Sequence, residues 1–346
     1  MTQSHGRTAV AGVRVADVVV TEPRTLIGSG VPNTVPVIAP VHRIRGHGLA
    51  GARRQRRRES LIAWLFLLPS LVGLGIFIFY PLIRSLYLSV HGNDIFGGAG
   101  AYVGARNYAQ MLASADFRQV LVNTLLFTLL TVVPGVLGAL AVVLLLETRV
   151  RATRVFRTAF AIPLAFSAAS ASVVFAVIYN PAIGVANGVL GQFGIDRIGW
   201  LTDPSIALLS VSITTVWMQF GFGVLVLAAG VGGISPEIFE AARLDGATGL
   251  RLAYSITIPL LSPQLFFLVV VSSIQALQSF GQIHILTRGG PDGATTTLVY
   301  SIYQQAFAFG SSNFGLASAQ AMVLLLIVLA CAAVQFGVLE GKVHYS

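Results

Sequence analysis

Six long apolar runs, separated by short polar stretches, dominate the chain. Ser60 to Ile83, Gln119 to Leu146, Ala159 to Ile195, Pro204 to Pro236, Leu252 to Ile283 and Gly293 to Leu339 each lack Asp, Glu, Lys and Arg. A helix that crosses a bilayer needs roughly 20 apolar residues. Six such helices fit, near 61–82, 120–146, 159–179, 206–230, 260–286 and 316–339. The pattern predicts an all-α membrane protein with six transmembrane helices. Pro69, Pro134 and Pro163 fall inside these runs, where neighbouring helices can satisfy the carbonyls they free. The small residues of SAASAS (167–172) form a face that lets another helix approach closely. No repeat of fixed period is visible, nor an inverted repeat of the kind that builds many secondary transporters.

Composition agrees with this pattern. Of 346 residues, 55% are hydrophobic and 10% charged, against roughly 25% charged in soluble domains. The net charge of +9 is uneven: residues 1–58 hold ten Arg against Asp17 and Glu22, which leaves +1 for the rest. That distribution argues against a nucleic-acid partner. RRQRRR, just before the first apolar run, reads as a topology signal. With the N-terminus inside, 17 of the 22 Lys and Arg fall on inner segments and five outside (Arg84, Arg106, Arg118, Arg197, Arg288). The positive-inside rule then puts both termini in the cytoplasm of a multi-pass protein of the cell membrane. Residues 1–52 read as a basic, disordered cytoplasmic tail with no cleavable signal. Residues 53–346 read as the six-helix membrane domain. Cys331, the one cysteine, permits no intrachain disulfide and no thiol-based metal cage.

The polar stretch EAARLDGATGLRLAYSITIPLLSP (240–263) interrupts the apolar second half and falls on the cytoplasmic side. Ser235 suits an N-cap, Pro236 the first helical position and Glu237 the positive helix end. Gly246 suits the left-handed residue that stops a helix. These signals predict a short helix over 236–245 and a second over about 248–256, before Pro259 and Pro263 redirect the chain. Exposed acids with a buried aromatic at Phe239 would make this a plug for a groove on another protein. The rival reading, an amphipathic loop lying on the bilayer, is weakened by the lack of lysines and the near-balanced charge.

Glu240-Ala241-Ala242, three residues, Gly246, nine residues and Ile256-Thr257-Ile258-Pro259 resembles the EAA loop of ABC importer permeases, with Ile258 where the family has Leu. Asn180-Pro181, LTRGGPDGATTTLVYSIYQQAF (286–307) and VQFGVLEGKVHYS (334–346) look like permeases of sugar and glycerol-phosphate importers. The last resembles the first permease subunit of glycerol-3-phosphate importers, whose actinobacterial counterparts are associated with glycerophosphodiesters such as glycerophosphocholine. The resemblance implies a coupling helix that docks on an ATP-hydrolysing subunit through Glu237, Glu240, Ala241, Ala242, Asp245, Gly246 and Pro259. It also implies a second homologous permease, an ATPase dimer that binds ATP and Mg, and an extracytoplasmic substrate-binding protein, all in a lipid membrane. The chain itself calls for no cofactor, metal or catalytic residue. A P-loop needs Gly-Lys-Ser/Thr, and the only lysine, Lys342, is followed by Val343. No acid lies mid-membrane, which argues against a proton relay and hence against a secondary transporter.

Polar side chains inside the apolar runs are the candidates for a substrate path: Asn123, Gln219, Gln275, Gln278, Gln282 and His284. Gln275, Gln278 and Gln282 recur at helical spacing of three and four, so they share a face. Such amides can hydrogen-bond a polyol or phosphate, or can simply hold helices together, at about 1 kcal/mol per bond. No arginine lies mid-run. An anionic cargo would therefore draw its cation from a partner, and a neutral di- or oligosaccharide is the alternative cargo.

Overall fold

The computed structural model describes residues 49–94, 98–147, 159–160, 162–307 and 312–339. The expected tail over 1–48, the arginine cluster Arg149, Arg151, Arg154 and Arg157, and Lys342 lie outside the described residues. The chain divides into two compact units, 1–65 and 66–346. Of the first unit, the described residues form the opening of helix α1, Leu49–Leu74. The remaining elements belong to the second unit.

Helix α1 passes through a π turn, Gly75–Phe79, into α2, Tyr80–Ser89. The turn precedes Pro81, which has no N–H and whose ring crowds the carbonyl four residues back, so a widened turn relieves it. A short antiparallel ribbon, β1 (His91–Asn93) and β2 (Ala99–Tyr102), leads to α3 (Arg106–Ala113) and to the 33-residue α4 (Ala115–Glu147). A 3-10 turn, Ile162–Ala165, precedes α5 (Ala168–Ile178), whose start is capped by Ser167 Oγ accepting from Ser170 N at 3.1 Å. Helices α6 (Val185–Gln192) and α7 (Ala207–Gly232) follow. Next come α8 (Pro236–Leu244), α9 (Gly249–Leu252), a π turn (Ala253–Thr257) and α10 (Ile258–Leu260). The chain ends in α11 (Ser262–Leu277), α12 (Gly281–Leu286), α13 (Leu298–Phe307) and α14 (Phe314–Leu339).

Among the described residues, four helices are long and apolar enough to cross a membrane: Ile62–Ser89, Ala115–Leu146, Ala207–Gly232 and Phe314–Gly337. A fifth arises if Gly249–Leu260 and Ser262–Leu277, which meet at 70°, count as one broken span. Two sequence expectations change here. The run 159–179 is not one helix, because Pro163 sits in the 3-10 turn and only eleven residues follow as α5. The run 260–286 is not one helix either. It stops at Leu277 and restarts at Gly281.

The core forms where α4 crosses α7. A Cβ on Gly138 would lie 2.9 Å from Phe220 Cε2, and one on Gly223 3.0 Å from Ala139 Cβ. Missing side chains let the two backbones approach, as at small-residue contacts generally in membrane helices. Phe127, Val136, Ala139, Val211, Val224, Leu227 and Leu268 fill the surrounding space. The SAASAS stretch packs closely too: Ala171 and Ser172 are buried, and a Cβ on Gly281 would lie 3.3 Å from Ala168 Cβ. The first span, by contrast, turns its apolar side chains outward, with Phe66 79% and Phe77 80% exposed. Outward apolar surface on this scale marks contact with lipid or with another protein.

Polarity along the molecule follows from contacts at the two ends of α4. Near its start, Asn123 Nδ2 donates to the carbonyls of Gly293 (2.9 Å) and Thr296 (3.2 Å). Near its end, Ala141 and Leu144 border a cavity shared with Arg243, Thr248 and Tyr254. At 1.5 Å per residue, the 18 steps from Asn123 to Ala141 span about 27 Å, close to the thickness of a bilayer core. The third run lies antiparallel to α7. Phe160 and Phe220 rings are 5.6 Å apart, and Tyr179 Oη donates to the Ser210 carbonyl at 3.1 Å.

Candidate functional site

The polar stretch after α7 folds as its punctuation predicts, with two corrections. Ser235 occupies the N-cap, yet its hydroxyl makes no capping hydrogen bond. Pro236 holds the first turn and Glu237 sits there as an exposed acid. Phe239, expected to be buried, is only half-buried. The helix stops at Leu244 through a Schellman motif. Ala247 N donates to the Ala242 carbonyl (2.9 Å) and Gly246 N to that of Arg243 (3.0 Å), with Gly246 at φ +81°. The buried Ala242 and Ala247 pack at the two ends of the longer bond.

The remaining surface of α8 points away from the protein. Glu237, Glu240, Ala241, Asp245 and Gly246 are exposed, and Leu244 is 90% exposed. Gly249, at φ +52°, starts a second exposed turn that carries Leu250 and Tyr254. Leu244, Leu250 and Tyr254 thus share one outward ledge with three acids, Glu237, Glu240 and Asp245. Pro259 lies apart, half-buried at the root of the next span. A π turn precedes it, as one precedes Pro81, and the chain bends by 70° at Leu261. Between α7, α8 and this bend lies a cavity of about 640 Å³ lined by Gly230, Ile238, Pro263 and Gln264.

The candidate path residues do not form one row. Gln275 ends exposed on α11, and Gln278 is the exposed C-cap beyond it. Gln282 belongs to α12 and is buried. Its Oε1 accepts from Ser279 Oγ at 3.0 Å and its Nε2 lies 3.8 Å from Met218 Sδ. The shared helical face is lost because α11 ends between Gln275 and Gln282. Gln219 is half-buried on α7. Asn123 is 2% exposed and locks the loop before α13, so it acts as an anchor within the protein. Its Oδ1 accepts from Gln119 Nε2 at 2.9 Å.

His284 stacks on Phe280 at 5.1 Å and meets Tyr303 edge-on at 5.3 Å, while its Nδ1 is buried without a partner. Phe280, Tyr300, Tyr303 and Phe307 continue as a chain of ring contacts of 4.9 to 5.9 Å. Sequence reading missed this aromatic row. Its signal is present as Tyr300, Tyr303 and Phe307, spaced by three and four in LVYSIYQQAF.

The loop between α12 and α13 is held from within. Thr287 and Thr295 hydroxyls bond at 2.7 Å, Thr295 Oγ1 donates to the Gly290 carbonyl (2.8 Å), and Thr296 Oγ1 to that of Gly289 (2.9 Å). Leu298 N donates to Thr124 Oγ1 at 2.8 Å, which fixes the start of α13 on α4.

Comparison with known proteins decides the family. The chain is 35% identical over 291 residues to the sn-glycerol-3-phosphate transport system permease protein UgpA of Agrobacterium fabrum, covering 83% of this chain and 98% of that protein. The chain belongs to the UgpA family of ABC transporter permeases. It is therefore a multi-pass protein of the cytoplasmic membrane and the permease of an ABC importer. A probable ABC transporter permease of Bacillus subtilis, YurN, is 33% identical over 80% of the chain and 96% of that protein. Among solved structures, a chain of a bacterial alginate ABC transporter, in complex with an alginate pentasaccharide-bound periplasmic protein, matches with a TM-score of 0.71. It is 22% identical and covers 83% of this chain and 98% of that one. That likeness shows the fold. No family model matches the chain.

Proposed function

We propose that this permease forms half of the translocation path of an ATP-driven importer of glycerol 3-phosphate or glycerophosphodiesters such as glycerophosphocholine. The observation that carries the cargo is the similarity, over most of both chains, to permeases named for glycerol-3-phosphate transport. The second reading is a neutral di- or oligosaccharide cargo. It is favoured by the exposed amides Gln275 and Gln278 and the exposed rings of Tyr303 and Phe307, with no Lys or Arg on α11 to α13 except Arg288 beyond the end of α12.

Six crossings with cytoplasmic termini fit the contacts. The loop before α13 and the ledge on α8 lie at opposite ends of α4, as the charge count requires. The run 160–179 accompanies α7 from Phe220 to Ser210, which supports a third crossing despite its 3-10 turn. On this topology the ledge faces the cytoplasm. Glu237, Glu240, Ala241, Asp245 and Gly246, with Leu244 at its tip, would meet a groove on the ATPase subunit. Ala242 serves by closing the cap, and Pro259 by setting the bend. ATP and Mg belong to that partner. A second permease completes the path and a binding protein delivers cargo from outside. Movement of the docked ledge would reach the path through the bend at Leu261, with the adjoining cavity leaving room for the swing.

The test is ATP hydrolysis by the complex in lipid. The permease is purified with the permease, ATPase and binding protein encoded beside it and challenged with glycerol 3-phosphate, glycerophosphocholine, maltose and trehalose. Stimulation by a phosphorylated cargo through the binding protein is the expected result. Stimulation by maltose or trehalose alone would replace it with the second reading. Uptake that survives ATP depletion but collapses with an uncoupler would overturn the importer mechanism.

A further inference from the structure

A second polar cavity lies at the end of α4 remote from the ledge, between α3, α4, α13 and the start of α14. Its volume is about 180 Å³, close to the roughly 150 Å³ of an engineered cavity that holds benzene. A single six-membered ring fits such a space.

The lining sorts ligands by chemistry. Gln320 is 4% exposed, and its Oε1 accepts from Ser301 Oγ at 3.1 Å. Gln320 lines the cavity, so a buried side chain whose amide carries N–H donors borders the space. Asn313 Oδ1 accepts from Leu316 N at 2.9 Å, which leaves its amide N–H groups on the lining as well. On the opposite rim stands the exposed carboxylate of Asp116, an acceptor only. Met111 and Phe117, both buried, supply an apolar wall. Among the described residues, no Lys, Arg or His lines the cavity.

An anion would meet Asp116 uncompensated. A cation would meet the donor face of Gln320. A hydroxyl donates and accepts at once and satisfies both. A pyranose ring adds an apolar C–H face for Met111 and Phe117, in keeping with sites that combine apolar walls with a few placed polar groups. We propose that this cavity binds a small neutral polyol, up to the size of one pyranose ring, at a site separate from the α11–α12 path. The site stands whichever cargo the path carries.

The test uses the assembled complex in lipid nanodiscs, without its binding protein, and saturation-transfer NMR with glycerol, glucose and glycerol 3-phosphate as probes. Glycerol or glucose is expected to bind saturably and glycerol 3-phosphate not to bind at equal concentration. Gln320→Leu should weaken binding at least 10-fold. Asp116→Asn, at an exposed rim position where folding is not at stake, should do so severalfold. Gln278→Ala, in the proposed path, should leave it unchanged. Three outcomes would overturn the proposal: no saturable binding, which would mean a hydrated cavity; equal binding of glycerol 3-phosphate; or loss with Gln278→Ala but not with Asp116→Asn, which would move the ligand to the path.

Discussion

Gly246 is the residue on which the ledge turns. At φ +81° it holds the left-handed position that costs an L side chain about 1–2 kcal/mol, while a Cβ there would meet nothing within 4 Å. Gly246→Ala should therefore misdirect the ledge without a clash. Gly246→Asp and Glu240→Lys should leave membrane insertion intact and abolish cargo-stimulated ATP hydrolysis, as read by membrane fractionation alongside phosphate release. Normal uptake with either change would remove the docking role. Asn123 tests the other end of the molecule. Asn123→Ala removes the side-chain donor from the Thr296 and Gly293 carbonyls, the second of which keeps Thr296 N as a donor, at a cost of about 1–3 kcal/mol, and should speed hydrogen exchange at 289–297 while leaving the ledge unchanged.

At the scale of elements, two devices recur. Each π turn stands just before a proline, Pro81 or Pro259, where a regular turn would press the ring on a carbonyl. Each close crossing is built on residues without bulk. Gly223→Val at the α4–α7 crossing would push into Ala139 and Leu268 and should destabilise by about 1–3 kcal/mol. A lowered thermal midpoint in detergent, with insertion retained, would register it. The break in the third apolar run was marked by Pro163, whereas the break in the fifth was not legible from spacing. Gln275, Gln278 and Gln282 keep helical spacing straight across the stop at Leu277, so periodicity alone did not mark where α11 ends. The placement of the ledge was legible, because Pro236, Glu237 and Gly246 act on their own neighbours.

Along α4, the ledge and the loop before α13 stand about one bilayer apart, and on the proposed topology this spacing suits the chain to couple events at its two ends. Deletion of residues 1–48 should leave cargo-stimulated ATP hydrolysis within about twofold of the full chain, since the ledge and the proposed path residues all lie beyond them. Loss of assembly on that deletion would give the tail a working role. Glycerol 3-phosphate and maltose competition in the same assay would show which cargo the α11–α12 face accepts.

The sequence by itself determined the membrane class, the uneven placement of charge and the punctuated polar segment, with the spacing that resembles an EAA loop. Each of these depends on residues near one another in the chain, through desolvation of an uncharged stretch or a hydrogen bond across one turn. Tertiary structure alone decided that Asn123 serves a loop 170 residues away, that Gln282 turns inward while Gln275 and Gln278 stay outside, and that Gln320 comes to line a cavity beside Ser301. Those outcomes depend on which backbones can approach closely, and that is settled by packing between helices distant in sequence.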